Sequence, residues 1–416
     1  MRITSPGTIP NVMIRILQWI ILIVLIGGQE LLSQPVDFLL ADTTNQDKIY
    51  LRYFTLDFKA QRGRHVTTGV PILEQTIEKN PYNVFEFRFG IKGYGQESWH
   101  QIFRYPTYGI GIYQAFFIPQ NNQLGNPGAL YLFFNQHLLG NERIYFGYDL
   151  ACGLSYNFLN YDPEHNPEQL AIGTAQNIIF QIEAETGFRI LKRLDGAVGF
   201  GFTHFSNGRI RTPQRGVNLY HLSGKLRYHM GALYRKEGLK EGWPEVRPEP
   251  IRHVLPKFNP RWEFYICPSA GLASPEGEHL YVDRSLHYFV ASIDLSTAYH
   301  YAYFGKLGLG VDLFYDESLN EYKGPPQTSL PINEEIYWGG HILHEFMIQR
   351  FRVVTHFGIT LSQREYKGKW FARIGMRYNF AKSFYFRSVL KTPEGFKADF
   401  IEWGLGYSFY KLRNPR

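Results

Sequence analysis

The 416-residue sequence has few of the features that mark a soluble enzyme or a helical membrane protein. It contains two cysteines, and it has no zinc-binding spacing, no glycine-rich phosphate loop and no nucleic-acid-binding motif. After the N-terminal segment it lacks any apolar run of the ~20 residues that a membrane-spanning helix needs. Helical periodicity is almost absent. These absences exclude nucleotide-binding, nucleic-acid-binding and helical transport classes.

The N-terminal 34 residues have the pattern of a secretory signal peptide. Arg15 precedes an apolar run over 16–26 that ends at Gly27 and Gly28. This run is short for a membrane span, and a basic residue, an apolar stretch and small residues in that order are typical of export signals. We expect translation from Met1 or Met13 and cleavage near Ser33, with an uncleaved anchor as the alternative. The mature chain would then cover 35–416.

Aromatic residues and glycine are abundant, and they occur in segments that alternate apolar and polar positions. The chain has 29 Tyr, 33 Phe and 40 Gly. Segments of about ten alternating residues separated by Gly, Pro, Asn and Asp are typical of a transmembrane β-barrel. We predict an all-β fold, an antiparallel transmembrane β-barrel of 12 to 16 strands. The candidate strands are 84–93, 107–117, 128–138, 143–158, 174–188, 195–206, 217–231, 260–271, 285–298, 300–315, 335–347, 351–362, 369–379, 382–391 and 397–410. Residues 35–80 are either a periplasmic lead-in or contain a further first strand, 49–58.

One long segment, 232–259, is charged and rich in proline. It is either a surface loop between adjacent strands, which we favour, or a linker. No internal repeat argues for two barrels. The final segment has one aromatic face and one small or polar face, as expected if the last strand pairs with the first to close a single barrel.

The segment 195–206 carries the residues that suggest chemistry. Phe200 and Phe202 point to the apolar face of the predicted strand, and His204 and Ser206 fall in phase with them because alternate residues share a face. A serine hydroxyl becomes a nucleophile when a neighbouring base removes its proton, and a third group orients the base. Asn218 begins the next strand on the same face. The pattern predicts a Ser-His-Asn site that faces lipid.

The same residues carry a resemblance to known enzymes. His204-Phe205-Ser206-Asn207-Gly208, followed by Pro213, Gly216 and Asn218, resembles the signature of the lipid A 3-O-deacylases, which are outer-membrane acyloxyacyl hydrolases. That family has a glutamate where this chain has Asn218. The motif is also similar to that of outer membrane phospholipase A, in which an arginine at the position of Arg209 lies near a calcium site. The resemblance implies an acyl-ester hydrolase in the outer membrane of a Gram-negative bacterium.

Under this resemblance Ser206 attacks the ester, His204 relays the proton and Asn218 orients His204. The Gly208 backbone and the Asn207 or Gln214 side-chain amide are candidate oxyanion donors. No cofactor or metal is expected for the deacylase, whereas calcium near Arg209 is expected for the phospholipase. The substrate is lipid A or phospholipid.

A non-catalytic barrel that acts as a channel or scaffold is the alternative from another functional class. A non-catalytic barrel would be favoured if the outward faces of the other strands were as polar as the segment 195–206. Glu183 and Glu185 are out of phase with their apolar neighbours, and we expect them in the lumen rather than at the site. Cys152 is predicted to face lipid and Cys267 the lumen, which would leave two free thiols.

Overall fold

A computed structural model describes residues 52–118, 123–141, 143–232, 246–255, 257–274, 287–322, 332–362, 368–393 and 398–411. The predicted signal peptide, 1–34, lies outside these ranges. None of the helices within them is long and apolar enough to cross a membrane. The described residues are dominated by strands.

Sixteen antiparallel strands form two closed barrels of eight strands each. The strands of the first barrel are β1 Tyr53–His65, β2 Tyr82–Lys92, β3 Thr107–Phe117, β4 Gly128–Gly140, β5 Ile144–Tyr156, β6 Asn177–Leu191, β7 Leu194–Ser206 and β8 Val217–Ala232. Those of the second are β9 Arg261–Ala273, β10 Tyr288–Ala302, β11 Gly305–Asp316, β12 Ile336–Ile348, β13 Phe351–Thr360, β14 Trp370–Asn379, β15 Phe384–Pro393 and β16 Phe400–Lys411. The antiparallel barrel fold is confirmed, and each predicted segment overlaps one of these strands.

The number of barrels differs from the single barrel predicted. β1 pairs with β8 along nearly its full length, and β16 pairs with β9 rather than with β1. Segment 232–259 therefore connects two barrels and is a linker, contrary to the surface loop that we favoured. The alternation of apolar and polar residues indicates where the strands are and which face of each is apolar. It does not indicate the number of barrels, because a strand shows the same alternation in one large barrel as in two smaller ones.

Side chains alternate between the outward face and the barrel interior, as the pleat of a strand requires. In β8 Leu222 is 67% exposed and Leu226 is also exposed, whereas Lys225 and Arg227 between and after them are buried. The outward face carries many exposed large apolar side chains, a pattern typical of transmembrane β-barrels. The inward face carries the charges.

Ion pairs fill the interior of the first barrel. They include Lys59–Glu183 at 3.0 Å, Arg88–Asp149 at 2.7 Å and Arg227–Asp57 at 2.7 Å. Glu185 is also buried and pairs with Lys225, so both predicted lumen glutamates lie inside. An eight-stranded barrel is just wide enough for its side chains to fill, so this interior is a packed polar core.

The second barrel is filled in the same way. Its pairs include Lys306–Glu263 at 2.9 Å, Arg377–Glu263 at 2.7 Å, Arg373–Asp312 at 2.7 Å and Arg373–Glu402 at 2.8 Å. Removing one partner of such a buried pair costs about 3–5 kcal/mol because the other charge stays buried and unpaired. These networks hold charged side chains inside both barrels and leave the apolar side chains on the outward faces.

Connections at the two ends of the barrels differ in length. Most of the longer connections are at the end that contains Ser206, such as 66–81, 157–176, 207–216 and 317–335. The opposite end has turns as short as 192–193, 303–304 and 349–350, together with one longer connection, 93–106. Short helical segments lie in these connections: α1 Pro71–Leu73, a π-helical turn Glu74–Glu78, α2 Ser98–Ile102, a 3₁₀ turn Glu317–Tyr322 and α3 Ile332–Glu335. Outer-membrane barrels have short periplasmic turns and longer extracellular loops.

The two barrels contact each other at like ends. At the short-turn end the Phe103 and Phe346 rings pack edge to face with centroids 5.4 Å apart, and Gln349 donates to the Glu97 carboxylate at 2.9 Å. At the other end the connection 207–216 contacts the second barrel. Cys152 lies in the first barrel and Cys267 in the second, and both are free thiols, as predicted.

Candidate active site

The predicted site residues lie on two hydrogen-bonded strands at the long-connection end of the first barrel. His204 of β7 pairs directly with Asn218 of β8 and, on its other side, with Phe180 of β6. Ser206 is the last residue of β7 and pairs with the exposed, outward-facing Ile178. The sequence order therefore places all three side chains on the outward face, in the predicted phase.

His204 and Asn218 form a short hydrogen bond. The imidazole Nδ1 lies 2.6 Å from the Asn218 side-chain oxygen Oδ1. A carbonyl oxygen only accepts, so Nδ1 carries the hydrogen when the amide has this orientation, and Nε2 keeps its lone pair. This is the tautomer that a general base needs, since its free nitrogen can remove a proton from a hydroxyl.

Ser206 lies where the strand turns into the connection 207–216. Its position in the strand places the side chain on the outward face, and the residue is 6% exposed. The Gly208 backbone N–H donates to Ser206 Oγ at 3.0 Å. No hydrogen bond joins Ser206 Oγ to His204 within the described part of the chain, and bonds between nucleophile and base are often loose before substrate binds.

The connection after Ser206 is held by its own polar groups. The Asn207 side-chain oxygen accepts from the Arg209 backbone N–H at 2.8 Å, and its amide donates to Thr174 Oγ1 and to the Arg211 carbonyl. Gly208 has φ +64°, a backbone conformation that favours glycine. The Asn207 amide is therefore bonded within the turn, and the Gly208 N–H is the donor directed at Ser206 Oγ.

Gln214 has a different environment. Its side-chain oxygen accepts from the Gly173 backbone N–H at 3.2 Å, while its Nε2 is buried and has no hydrogen-bond partner among the described residues. A buried donor without a partner costs about 1–3 kcal/mol. Of the two predicted side-chain amides, Gln214 is therefore the one whose donor is not used within the described residues, whereas the Asn207 amide is.

Gly216 supports the imidazole from the other side of the hairpin. Its φ is +75°, and a Cβ placed on it would lie 3.1 Å from His204 Cε1. Its backbone N–H donates to the Ala171 carbonyl at 2.9 Å, which ties the hairpin to the connection between β5 and β6. Sequence reasoning included Gly216 in the motif but did not predict this close approach.

Comparison with known proteins yields two matches to family models. Residues 83–227 match the model of lipid A 3-O-deacylase (PagL), and residues 262–411 match the model of the acyloxyacyl hydrolase C-terminal domain. The first match contains His204, Ser206 and Asn218, the second covers almost all of the second barrel, and together they span most of the chain. The chain belongs to the lipid A 3-O-deacylase family. The resemblance predicted from the motif is confirmed.

Other comparisons show only distant similarity. No curated protein matches this family member in sequence. Among solved structures, it is similar to OccAB4 of Acinetobacter baumannii at 9% identity, covering 89% of this chain and 100% of the other with a TM-score of 0.23. It is also similar to CdiB from Acinetobacter baumannii at 9% identity, where the match covers 88% of this chain and 60% of CdiB with a TM-score of 0.17. A third similar structure is a mutant of the TodX monoaromatic hydrocarbon channel at 8% identity, where the match covers 87% of this chain and 90% of the channel with a TM-score of 0.17.

Metal-ligand spacing occurs once in the described part of this deacylase family member. Asp294, His341 and His356 lie inside the second barrel, with one ligand atom from each within 4.8 Å of the others. Asp294 is already paired with Arg387, and Nδ1 of His341 lies 2.6 Å from the Asp312 carboxylate. The cluster is thus part of an ion-pair network, and it includes no residue of the β7–β8 hairpin.

Arg209, the candidate neighbour of calcium under the phospholipase alternative, contacts the second barrel. Its Nη1 donates to the Ala398 backbone carbonyl at 3.3 Å. This contact was not predictable from the motif because Ala398 lies nearly two hundred residues further along the chain. The deacylase family model, rather than a phospholipase model, covers this region.

Proposed function

We propose that this protein removes an ester-linked acyl chain from lipid A, with Ser206 as nucleophile, His204 as general base and Asn218 as the group that orients His204. The observation that carries the proposal is the 2.6 Å bond from His204 Nδ1 to Asn218 on the outward face that Ser206 shares. Polar side chains on a lipid-facing surface are costly unless they have a role. Family membership adds the class of substrate.

The first half of the reaction forms an acyl-enzyme. Ser206 Oγ attacks the ester carbonyl carbon while its proton passes to His204 Nε2, and the imidazolium is stabilised by Asn218. The negative charge that develops on the carbonyl oxygen requires donors, which are the Gly208 N–H and the Gln214 amide. The ester bond then breaks, and the sugar hydroxyl leaves with the proton held by His204.

The second half regenerates the enzyme. A water molecule gives a proton to His204 Nε2 and attacks the acyl carbonyl. The intermediate collapses by breaking the bond to Ser206 Oγ, which recovers its proton from His204. A free fatty acid leaves, so the overall reaction consumes one water per ester and needs no cofactor.

The position of the site suits a lipid substrate of the outer leaflet. Ser206 lies at the end with the longer connections, which in outer-membrane barrels faces the cell exterior. Lipopolysaccharide occupies that leaflet. We therefore infer an outer-membrane location with the nucleophile at the level of the lipid A esters.

A channel function is the less favoured alternative. Both barrels have eight strands, and their interiors are occupied by ion-paired side chains such as Lys59–Glu183 and Arg373–Glu402. Aqueous pores occur in barrels with about twice as many strands. The filled interiors therefore favour a role for the outer surface.

Chelation separates the deacylase from the phospholipase alternative. We expect purified protein in detergent micelles to release a hydroxyacyl chain from lipid A with or without EDTA, because no carboxylate cluster among the described residues adjoins Arg209. Released acids are measured by mass spectrometry, with a phospholipid supplied in parallel. Loss of all activity in EDTA, restored by calcium and accompanied by phospholipid cleavage, would favour the phospholipase.

The oxyanion role of Gln214 has its own test. Gln214→Glu keeps the side-chain size and the acceptor but removes the amide donor, so we expect kcat to fall about 10²- to 10³-fold with little change in KM. The matched control is Asn207→Asp, which makes the same change from amide to carboxylate in a side chain whose amide is bonded within the turn. If Gln214→Glu retains the parent kcat, the oxyanion donors lie elsewhere.

A further inference from the structure

The residues that follow the nucleophile rest against the second barrel. The Ile210 backbone carbonyl lies 3.1 Å from Ser274 Oγ, which donates to it, and 2.7 Å from His287 Nε2. Arg209 donates to the Ala398 carbonyl. Three consecutive residues, from Gly208 to Ile210, therefore contact a barrel that contributes none of the proposed catalytic groups.

Gly208 also packs against the second barrel. A Cβ placed on Gly208 would lie 2.4 Å from Ile401 Cδ1 and 3.6 Å from Leu390 Cδ1. The backbone N–H of the same glycine donates to Ser206 Oγ. One residue thus separates the nucleophile of the first barrel from two apolar side chains of the second.

Ile401 is unusual for its position on the outside of the second barrel. It shares the outward face of β16 with Trp403 and Leu405, and Leu405 is 66% exposed, yet Ile401 is only 6% exposed. It pairs in register with Leu390 of β15, which is half-buried. The contact with the β7–β8 connection accounts for this local burial of an apolar outward face.

We propose that the second barrel completes the acyl-binding site of the first, with Leu390 and Ile401 forming an apolar wall that contacts the acyl chain next to the scissile ester. This inference rests on the proposed function. The ester carbonyl must come within bonding distance of Ser206 Oγ and near the Gly208 N–H. Because Gly208 has no side chain, Ile401 and Leu390 approach this turn closely, and they therefore lie beside the carbonyl end of an acyl chain bound at Ser206.

The wall explains why a second barrel accompanies a first barrel that carries all three proposed catalytic residues. A site on the outer face of a single barrel would present the chain to bulk lipid on one side. In an apolar pocket, each methylene group that is added or missing changes kcat/KM by about 10-fold or more. Leu390 and Ile401 are therefore specificity-determining residues for the acyl chain rather than catalytic residues.

The test compares chain preference among variants of the full-length protein. Lipid A preparations with ester-linked chains of different length are supplied in mixed micelles to the parent, Leu390→Ala, Ile401→Ala and the control Leu405→Ala. We expect the ratio of kcat/KM for long over short chains to change by about tenfold for Leu390→Ala and Ile401→Ala, and to stay constant for the control. Thermal unfolding of the variants checks that each one folds.

A second measurement does not depend on turnover. Ser206→Ala protein is incubated with lipid A that carries a photoactivatable group on its ester-linked chain, and the labelled peptides are mapped. We expect labels on β15 and β16 near Leu390 and Ile401, and we expect Ile401→Ala to reduce them. If the parent hydrolyses the ester but chain preference is unchanged, or if labels fall only on the first barrel, the wall is refuted. If the parent hydrolyses no ester, the proposed function is wrong. The positions of the labels still show whether the acyl chain contacts Leu390 and Ile401.

Discussion

Ser206→Ala should reduce the rate of acyl-ester hydrolysis by roughly 10⁴- to 10⁶-fold, because it removes the atom that forms the covalent intermediate. KM should change little, since the hydroxyl contributes small binding energy in the ground state. The measurement is kcat for fatty-acid release from lipid A by purified protein. Removing Oγ from the outward face should leave the fold intact.

The matched control is Ser388→Ala. Ser388 is on the outward face of β15 in the second barrel, so the same atom is removed from the same kind of surface. We expect parent activity from this variant. Equal activity of Ser206→Ala and Ser388→Ala would exclude Ser206 as the nucleophile.

Asn218→Ala should lower kcat by about 10²- to 10⁴-fold, with KM nearly unchanged. The variant loses the 2.6 Å bond that fixes the His204 tautomer, but the nucleophile and the base remain in place. The loss should therefore be smaller than for Ser206→Ala. Steady-state kinetics on the same lipid A substrate measure it.

Two further variants make this result specific. Asn83→Ala removes an outward-facing amide from β2, which is separated from the Asn218 strand β8 by β1, and should be neutral. Asn218→Glu introduces the residue that the family signature has at this position and should remain active, since a carboxylate also accepts from Nδ1–H and stabilises the imidazolium. If Asn218→Ala keeps the parent activity while His204→Ala is inactive, Asn218 does not orient His204 and has only a structural role in the strand.

The strands and their faces were predictable because the alternation of apolar and polar residues is a local property of each strand. Leu222 and Leu226 point outward, and Lys225 and Arg227 point inward, in the period of two that is typical of strands. The same period placed His204, Ser206 and Asn218 on one face. The register then brings His204 opposite Asn218, because the length of the hairpin connection fixes the pairing.

What could not be predicted depends on pairing between distant segments. The closure of β1 on β8 and of β9 on β16 divides the strands into two barrels, and no local pattern identifies the partner of a strand. The contacts of Gly208 with Ile401 and of Arg209 with Ala398 follow from that division. The loop role of Asn207 was also hidden, since its partners Thr174 and Arg211 come together only in the folded connection.

Mass spectrometry of lipid A from a Gram-negative host tests the central claim most directly. The host expresses either the parent protein or Ser206→Ala in its outer membrane, at levels matched by immunoblot. We expect the parent to convert lipid A to a species that lacks one ester-linked acyl chain, and we expect lipid A from the Ser206→Ala strain to match that of the empty host. Unchanged lipid A in the strain with folded parent protein, or the same deacylated species in both strains, would contradict a Ser206-dependent lipid A deacylase.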